Sequence, residues 1–242
     1  MFQLGPGTGG IDMKTTIAIL AAGVALMAGN TAMAADAEGW KLSGNIGMVS
    51  DYQYRGYSLS NGDPSIQGDL TVTSPKGYYA TVWTSQIEEV GIGPDGDGAE
   101  IEVDVSLGRS FSRGGWDWDA ALYYYSYPDG TDLNYFEVPV SAAHTVGAFT
   151  TTLGVEYAPS QDNLGGEDNL YLYLGGDYAP EHWPVSVNAQ IGHEEGAFSD
   201  GKFDWQLGLA KSVGPVSLTL QYSGSDDPGA KASLVGGVSI GF

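Results

Sequence analysis

Apolar and polar residues alternate with a period of two in run after run along this chain. The runs begin near Lys41, Ser65, Tyr78, Glu100, Trp116, Leu133, Phe149, Asn169, Val185, Lys202, Val216 and Ala232, twelve in all. Such alternation puts successive side chains on opposite faces of an extended backbone and predicts β-strands, each with one apolar face. Many runs approach the roughly 9–11 residues that a tilted membrane-crossing strand needs, against about 5–6 for an ordinary soluble strand.

Alternation alone does not separate a soluble sandwich from a membrane barrel, because both bury one face per strand. The connections separate them. The odd-numbered ones are long or polar ("DYQYRGYSLSNGDP", "EEVGIGPDGDGA", "YPDGTD", "PSQDNLGGED", "HEEGAFSDG", "SGSDDPGAK"), and the even-numbered ones are mostly tight ("SPKG", "SRGG", "TVGA", "APEHWP", "VGP"). A barrel with external loops at one rim and short turns at the other sorts its connections in this way. Aromatic residues follow the same two rims. Trp116, Phe149, Tyr178, Trp183 and Phe242 fall near the short turns or the C-terminus, and Tyr157, Phe203, Trp205 and Tyr222 near the long loops. Amphipathic rings collect at the two water–lipid interfaces.

The last segment, "ASLVGGVSIGF", carries Leu234, Val238, Ile240 and Phe242 on one parity. In hydrocarbon every backbone polar group must be paired, so this strand is expected to close onto the first, with its apolar parity toward lipid. Its terminal aromatic resembles the C-terminal signal by which Gram-negative outer-membrane proteins are recognised, which implies the barrel assembly machinery as a partner through Phe242. The expected fold is all-β, a 12-stranded antiparallel up-and-down transmembrane β-barrel, bathed in outer-membrane lipid and lipopolysaccharide.

Composition sharpens the picture. The 37 glycines in 242 residues suit strands and turns, and with no cysteine the fold rests on burial and strand pairing. A formal charge of -21 argues against a nucleic-acid partner, since affinity for phosphates needs cations. Met13-Lys14, the apolar "TTIAILAAGVALMAG" and Ala32-Met33-Ala34 read as a secretory signal. The expected division is therefore an upstream extension over 1–12, a signal peptide over 13–34 and the barrel over 35–242.

With the apolar parity outside, the opposite parity lines the lumen. It presents Gln67, Asp69, Thr71, then Glu102, Asp104, then Asp117, Asp119, Tyr123, Tyr125, then Glu137. The later strands add Thr150, Thr152, Glu156, Tyr171, Tyr173, Ser186, Asn188, Gln190, Asp204, Gln206, Ser217, Thr219 and Gln221. Rings of carboxylates concentrate cations and repel anions, so a conducting lumen would prefer cationic or neutral small solutes; a hydrogen-bonded plug is the alternative. Continuing the first strand past Val49 keeps Asp51, Gln53, Arg55 and Tyr57 on the lumen parity and turns Tyr52 and Tyr54 outward. Arg55 is then expected to pair with Asp51 or with acids across the barrel. Its role remains open between a porin-like constriction and a salt bridge that fixes the first external loop.

"SDYQYRGYSLSNGDPSIQGDLTVTSPKGYYATVWTSQI", "EIEVDVSLG" and "YYYSYPDGTDLNYFEVPV" resemble segments of the TorF-type porin family, most densely from Ser50 to Val140. The resemblance implies a small outer-membrane barrel, with Asp51, Arg55, Gly56, Gln67, Gly68, Trp83, Ser85, Tyr127, Pro128 and Glu137 at the family's motif positions. It supplies no substrate. Tyr57 and Asp69 depart from the commoner pattern of a smaller aliphatic and a glycine.

Enzymatic chemistry finds little footing. None of His144, His182 and His193 has a nucleophile-elbow or barrel-hydrolase context, and His193-Glu194-Glu195 reads as a solvated loop. Asp95, Asp97 and Glu100 have a Ca²⁺-like look without EF-hand spacing. The acids of "WDWDA" serve barrel lining as well as a carboxylate pair. No catalytic residue, metal or cofactor is expected. The sequence therefore points to a diffusion channel for small solutes, with a non-conducting structural or adhesive barrel as the second reading and a lipid- or glycan-acting barrel enzyme as the third.

Overall fold

In the computed structural model the described residues are 39–90, 98–128, 130 and 132–242. The leader and Asp95 and Asp97 lie outside them. The strands are β1 (Lys41–Val49), β2 (Gln53–Tyr54), β3 (Tyr57–Ser58), β4 (Ser65–Thr73), β5 (Tyr78–Val90), β6 (Ala99–Arg113) and β7 (Trp116–Ser126). They continue as β8 (Tyr135–Val146), β9 (Phe149–Ala158), β10 (Asn169–Tyr178), β11 (Ser186–Gly196), β12 (Ser199–Val213), β13 (Val216–Ser225) and β14 (Ser233–Gly241). Except for the short hairpin β2–β3, each strand pairs antiparallel with its sequence neighbours, and β14 pairs with β1 to close a twelve-stranded barrel.

Closure runs in register from Val49 opposite Gly237 to Asn45 opposite Gly241, and Phe242 and Gly44 then exchange two backbone hydrogen bonds of 3.0 Å. The barrel thus has no free edge to leave unpaired in hydrocarbon. Outside, Ile46, Leu107, Leu153, Leu172, Leu207, Leu218 and Ile240 remain exposed, a continuous apolar girth that water would not tolerate and lipid would. Tyr157, Phe203, Trp205 and Tyr222 are exposed at the long-loop rim, and Phe149, Tyr178, Trp183 and Phe242 at the other. Trp116 is half-buried, its ring stacked 5.0 Å from His144.

Two local expectations fail. The stretch "HEEGAFSDG" is not a long loop: β11 and β12 run through it and are joined only by Ala197-Phe198. His193 is consequently a strand residue opposite Phe203, with its ring 4.6 Å from that ring. Nor does β1 continue past Val49. The chain turns inward there, so Tyr52 and Tyr54 do not face outward: Tyr52 is 4% exposed, 5.6 Å from the Trp83 ring. An outward course would have required unpaired backbone beyond the rim. Folding in lets the segment pair with itself, Leu59 donating its N–H to the Tyr52 carbonyl at 2.7 Å.

Candidate functional site: a hairpin across the lumen

The lumen differs in character along its length. At the short-turn end Asp69, Thr71, Asp117, Thr152, Asn188, Gln190 and Thr219 are only half-buried. Asp119 is buried and accepts hydrogen bonds from Tyr79 Oη at 3.0 Å and Ser110 Oγ at 2.7 Å, while Asp117 accepts one from Ser112. The "WDWDA" acids are thus held by different partners rather than facing each other as a pair. At the long-loop end the first loop folds into the interior, where Tyr52, Gln53 and Arg55 are buried.

That loop carries β2 and β3, which pair as Gln53 opposite Ser58 and Tyr54 opposite Tyr57. Its turn is Arg55-Gly56, both at positive φ (45° and 83°). Gly56 is required twice. Its φ suits glycine, and a Cβ there would lie 2.7 Å from Ser225 Cβ and 2.8 Å from the Gly224 carbonyl oxygen of β13. Asp51 braces the base of the hairpin, accepting hydrogen bonds from Gln53 Nε2 and Ser58 Oγ, both 2.5 Å, and from Ser60 Oγ at 3.3 Å. Of the two expected partners of Arg55, Asp51 is thus taken up by hydroxyl and amide groups, and the turn points Arg55 to the acids across the barrel.

Arg55 reaches the far wall. Nη2 donates to both oxygens of Glu137 on β8, at 2.8 and 2.9 Å, and to Glu156 on β9, and Nη1 donates to Glu194 on β11 at 2.6 Å. The strand β9 lies six places from β1 in either direction round the barrel, so the hairpin spans the full cross-section. Tyrosine rings complete the seat: the guanidinium carbon is 4.4 Å from the Tyr171 ring centroid and 4.8 Å from that of Tyr54. Lys202 of β12 closes the side, with Nζ 2.5 Å from Glu194, 3.7 Å from Asp204 and donating to the Arg55 carbonyl at 2.9 Å. Arg55, Glu137, Glu156, Glu194 and Lys202 are each 7% exposed or less, so this layer is shielded from bulk solvent.

Glycines make room for the seat. Gly192 is where Tyr171 lies flat on the wall, and a Cβ there would meet the Tyr171 hydroxyl at 2.1 Å. Tyr171 Oη in turn donates to Asp204 at 2.9 Å. Around the hairpin, Tyr54 and Tyr125 hydroxyls approach to 3.4 Å, the Tyr125 and Tyr135 rings stack at 4.5 Å, and Tyr125 Oη donates to Glu137 at 3.0 Å. Burial and the Asp227 carboxylate beside it push the Tyr57 phenol above its ordinary range, so this side chain stays neutral.

Of the expected lumen residues, Arg55, Glu137, Glu156 and Asp204 converge on this layer. Glu102 sits to one side, accepting from Tyr127 Oη at 3.0 Å, next to Asp104 on the same strand face. Gln67 is near, its Nε2 donating to Ser85 Oγ at 3.3 Å. Asp69, Asp117 and Asp119 lie apart, toward the other rim. Two members were missed, Glu194 and Lys202. Both were legible in the period: Gln190, Gly192 and Glu194 share one parity, which the loop reading of "HEEGAFSDG" cut short, and Lys202, at the start of the next run, shares the parity of Asp204. Among the described residues no cluster of three or more His, Asp or Glu side chains is arranged to hold a metal.

The barrel resembles solved outer-membrane channels. It matches the KdgM porin with a TM-score of 0.59 at 8% identity, covering 83% of this chain and 99% of that one. A KdgM porin in complex with disordered oligogalacturonate matches with a TM-score of 0.57 at 8% identity, covering 83% and 98%. The COG4313 outer membrane channel from Pseudomonas putida F1 matches with a TM-score of 0.50 at 11% identity, covering 83% and 94%. At these identities the likeness is one of fold. A search of the curated proteins gives no match. The family model described as "Bacterial protein of unknown function (Gcw_chp)" matches residues 33–238, and the chain belongs to that family.

Proposed function

We propose that this protein is an outer-membrane diffusion channel for small cationic or neutral solutes whose conductance is set by the first-loop hairpin. The observation that carries the reading is the transverse bridge from Arg55 to Glu137, Glu156 and Glu194, which lays a loop rather than wall side chains across the lumen. Wall residues cannot leave a closed barrel. A loop anchored at one rim can. The porin fold and the segments that resemble the TorF-type family support the same reading, since Arg55 and Gly56 form the turn of the hairpin, Asp51 braces its base, Trp83 packs against Tyr52 and Glu137 receives Arg55.

Charge favours cations. Asp69, Asp104, Asp117, Asp119 and Asp177 face the lumen below the hairpin, on the inward parity of β4, β6, β7 and β10. A polyanion such as the oligogalacturonate bound by the KdgM porin would be repelled here. In planar bilayers under a salt gradient, openings are expected to reverse at a cation-selective potential, and Asp104→Asn with Asp119→Asn to reduce that bias. An anion-selective reversal would contradict the assignment.

The complete burial of the bridge favours a second reading, a permanently closed structural barrel. It predicts no openings of the wild type at any voltage, with current appearing only after the hairpin is displaced.

A further inference from the structure

The seat of Arg55 has the composition of a receptor. Three carboxylates on three strands surround one planar cation, and the Tyr171 ring covers its face, which is how a free guanidinium would be bound in a dry site. The tethered occupant fills this seat imperfectly. Arg55 Nε has no hydrogen-bond partner among the described residues although the residue is 7% exposed, and its backbone is held at a positive φ of 45°. The site also holds more negative than positive charge: Glu137, Glu156, Glu194 and Asp204 against Arg55 and Lys202. One acceptor is left over. Asp204 is 4% exposed and its Oδ2 has no hydrogen-bond partner among the described residues, lying 3.7 Å from Lys202 Nζ.

We propose that Glu137, Glu156, Glu194 and Tyr171 form a binding site for guanidinium-bearing solutes, which Arg55 occupies as an internal substitute. A solute that carries a free guanidinium competes for the same carboxylates without the backbone constraint of the turn, and by taking the seat it releases the hairpin. The solute thereby opens its own path. This deepens the channel reading and rests on it for passage, though not for binding.

The test uses guanidinium itself, with sodium as a charge control and urea as a neutral control of the same shape. In the Arg55→Ala protein, guanidinium is expected to raise the Tm by several degrees in detergent at low millimolar concentration, and to block current about tenfold or more potently than sodium. Urea should do neither. In the wild type, the same guanidinium concentration should increase the fraction of time open. If Arg55→Ala does not fold, replacing Gln53–Ser58 by two glycines removes the occupant and leaves every wall carboxylate in place, and the same measurements apply. Equal effects of guanidinium, sodium and urea on Tm would overturn the site whatever the currents show. A Tm rise specific to guanidinium in a barrel that never conducts would uphold the site and reject the channel.

Discussion

Arg55 concentrates the physics of this molecule in one side chain. A buried cation is tolerated only when paired, and breaking a buried pair by removing one partner costs about 3–5 kcal/mol because a charge is left uncompensated. The positive φ of Arg55 adds a further cost of about 1–3 kcal/mol, held in place by the surrounding contacts. Glu194→Gln should therefore destabilise the barrel by about 3 kcal/mol, since Glu194 serves both Arg55 and Lys202; urea unfolding from lipid vesicles measures it. Arg55→Ala combined with Glu194→Gln should cost less than the sum of the two, with a coupling of about 1–3 kcal/mol. Additive losses would mean that the two side chains do not share one bridge. Arg55→Lys keeps the charge but replaces the planar fork by a point charge, and should loosen the hairpin rather than preserve it. The sequence exposed Arg55 as a cation on an acidic parity, with Asp51 or the acids across the barrel as its expected partners. It hid Glu194, because a glycine on each side of "GHEEG" reads as loop chemistry, whereas here Gly192 makes room for Tyr171 and Gly196 lies at the strand end.

At the scale of elements, strand identity and register followed from alternation because a slip of one residue would turn every apolar side chain into the lumen. Leu174 faces lipid near the middle of β10, opposite Leu153 and Ile191. Leu174→Arg should cost about 2–4 kcal/mol in refolding into vesicles, while Thr219→Arg on the lumen face of β13 should cost much less and shift ion selectivity. Similar penalties at both sites would contradict the assigned faces. The hairpin was the element that alternation misplaced. Asp51, Gln53 and Arg55 keep the parity of β1, so pattern alone extends the strand, and only the positive φ values at Arg55 and Gly56 reveal the turn. Gly56→Ala would place a methyl group against the β13 backbone and should dislodge the hairpin without altering any charge. Longer and more frequent openings than in the wild type are the expected readout.

For the whole molecule, a girth of twelve strands lies between the eight-stranded barrels that wall side chains fill and the sixteen-stranded ones that hold a channel, and here one hairpin spans it. If the barrel conducts as proposed, that arrangement makes the first loop the determinant of passage. The most direct measurement is single-channel recording of the wild type beside a protein in which Gln53–Ser58 is replaced by two glycines. This replacement is sterically reasonable because Leu59 N already donates to the Tyr52 carbonyl at 2.7 Å, so a two-residue turn can close the shortened loop. The wild type is expected to be mostly closed and the shortened variant to stay open with larger, cation-selective steps. Identical currents from the two proteins, or none from either, would contradict it.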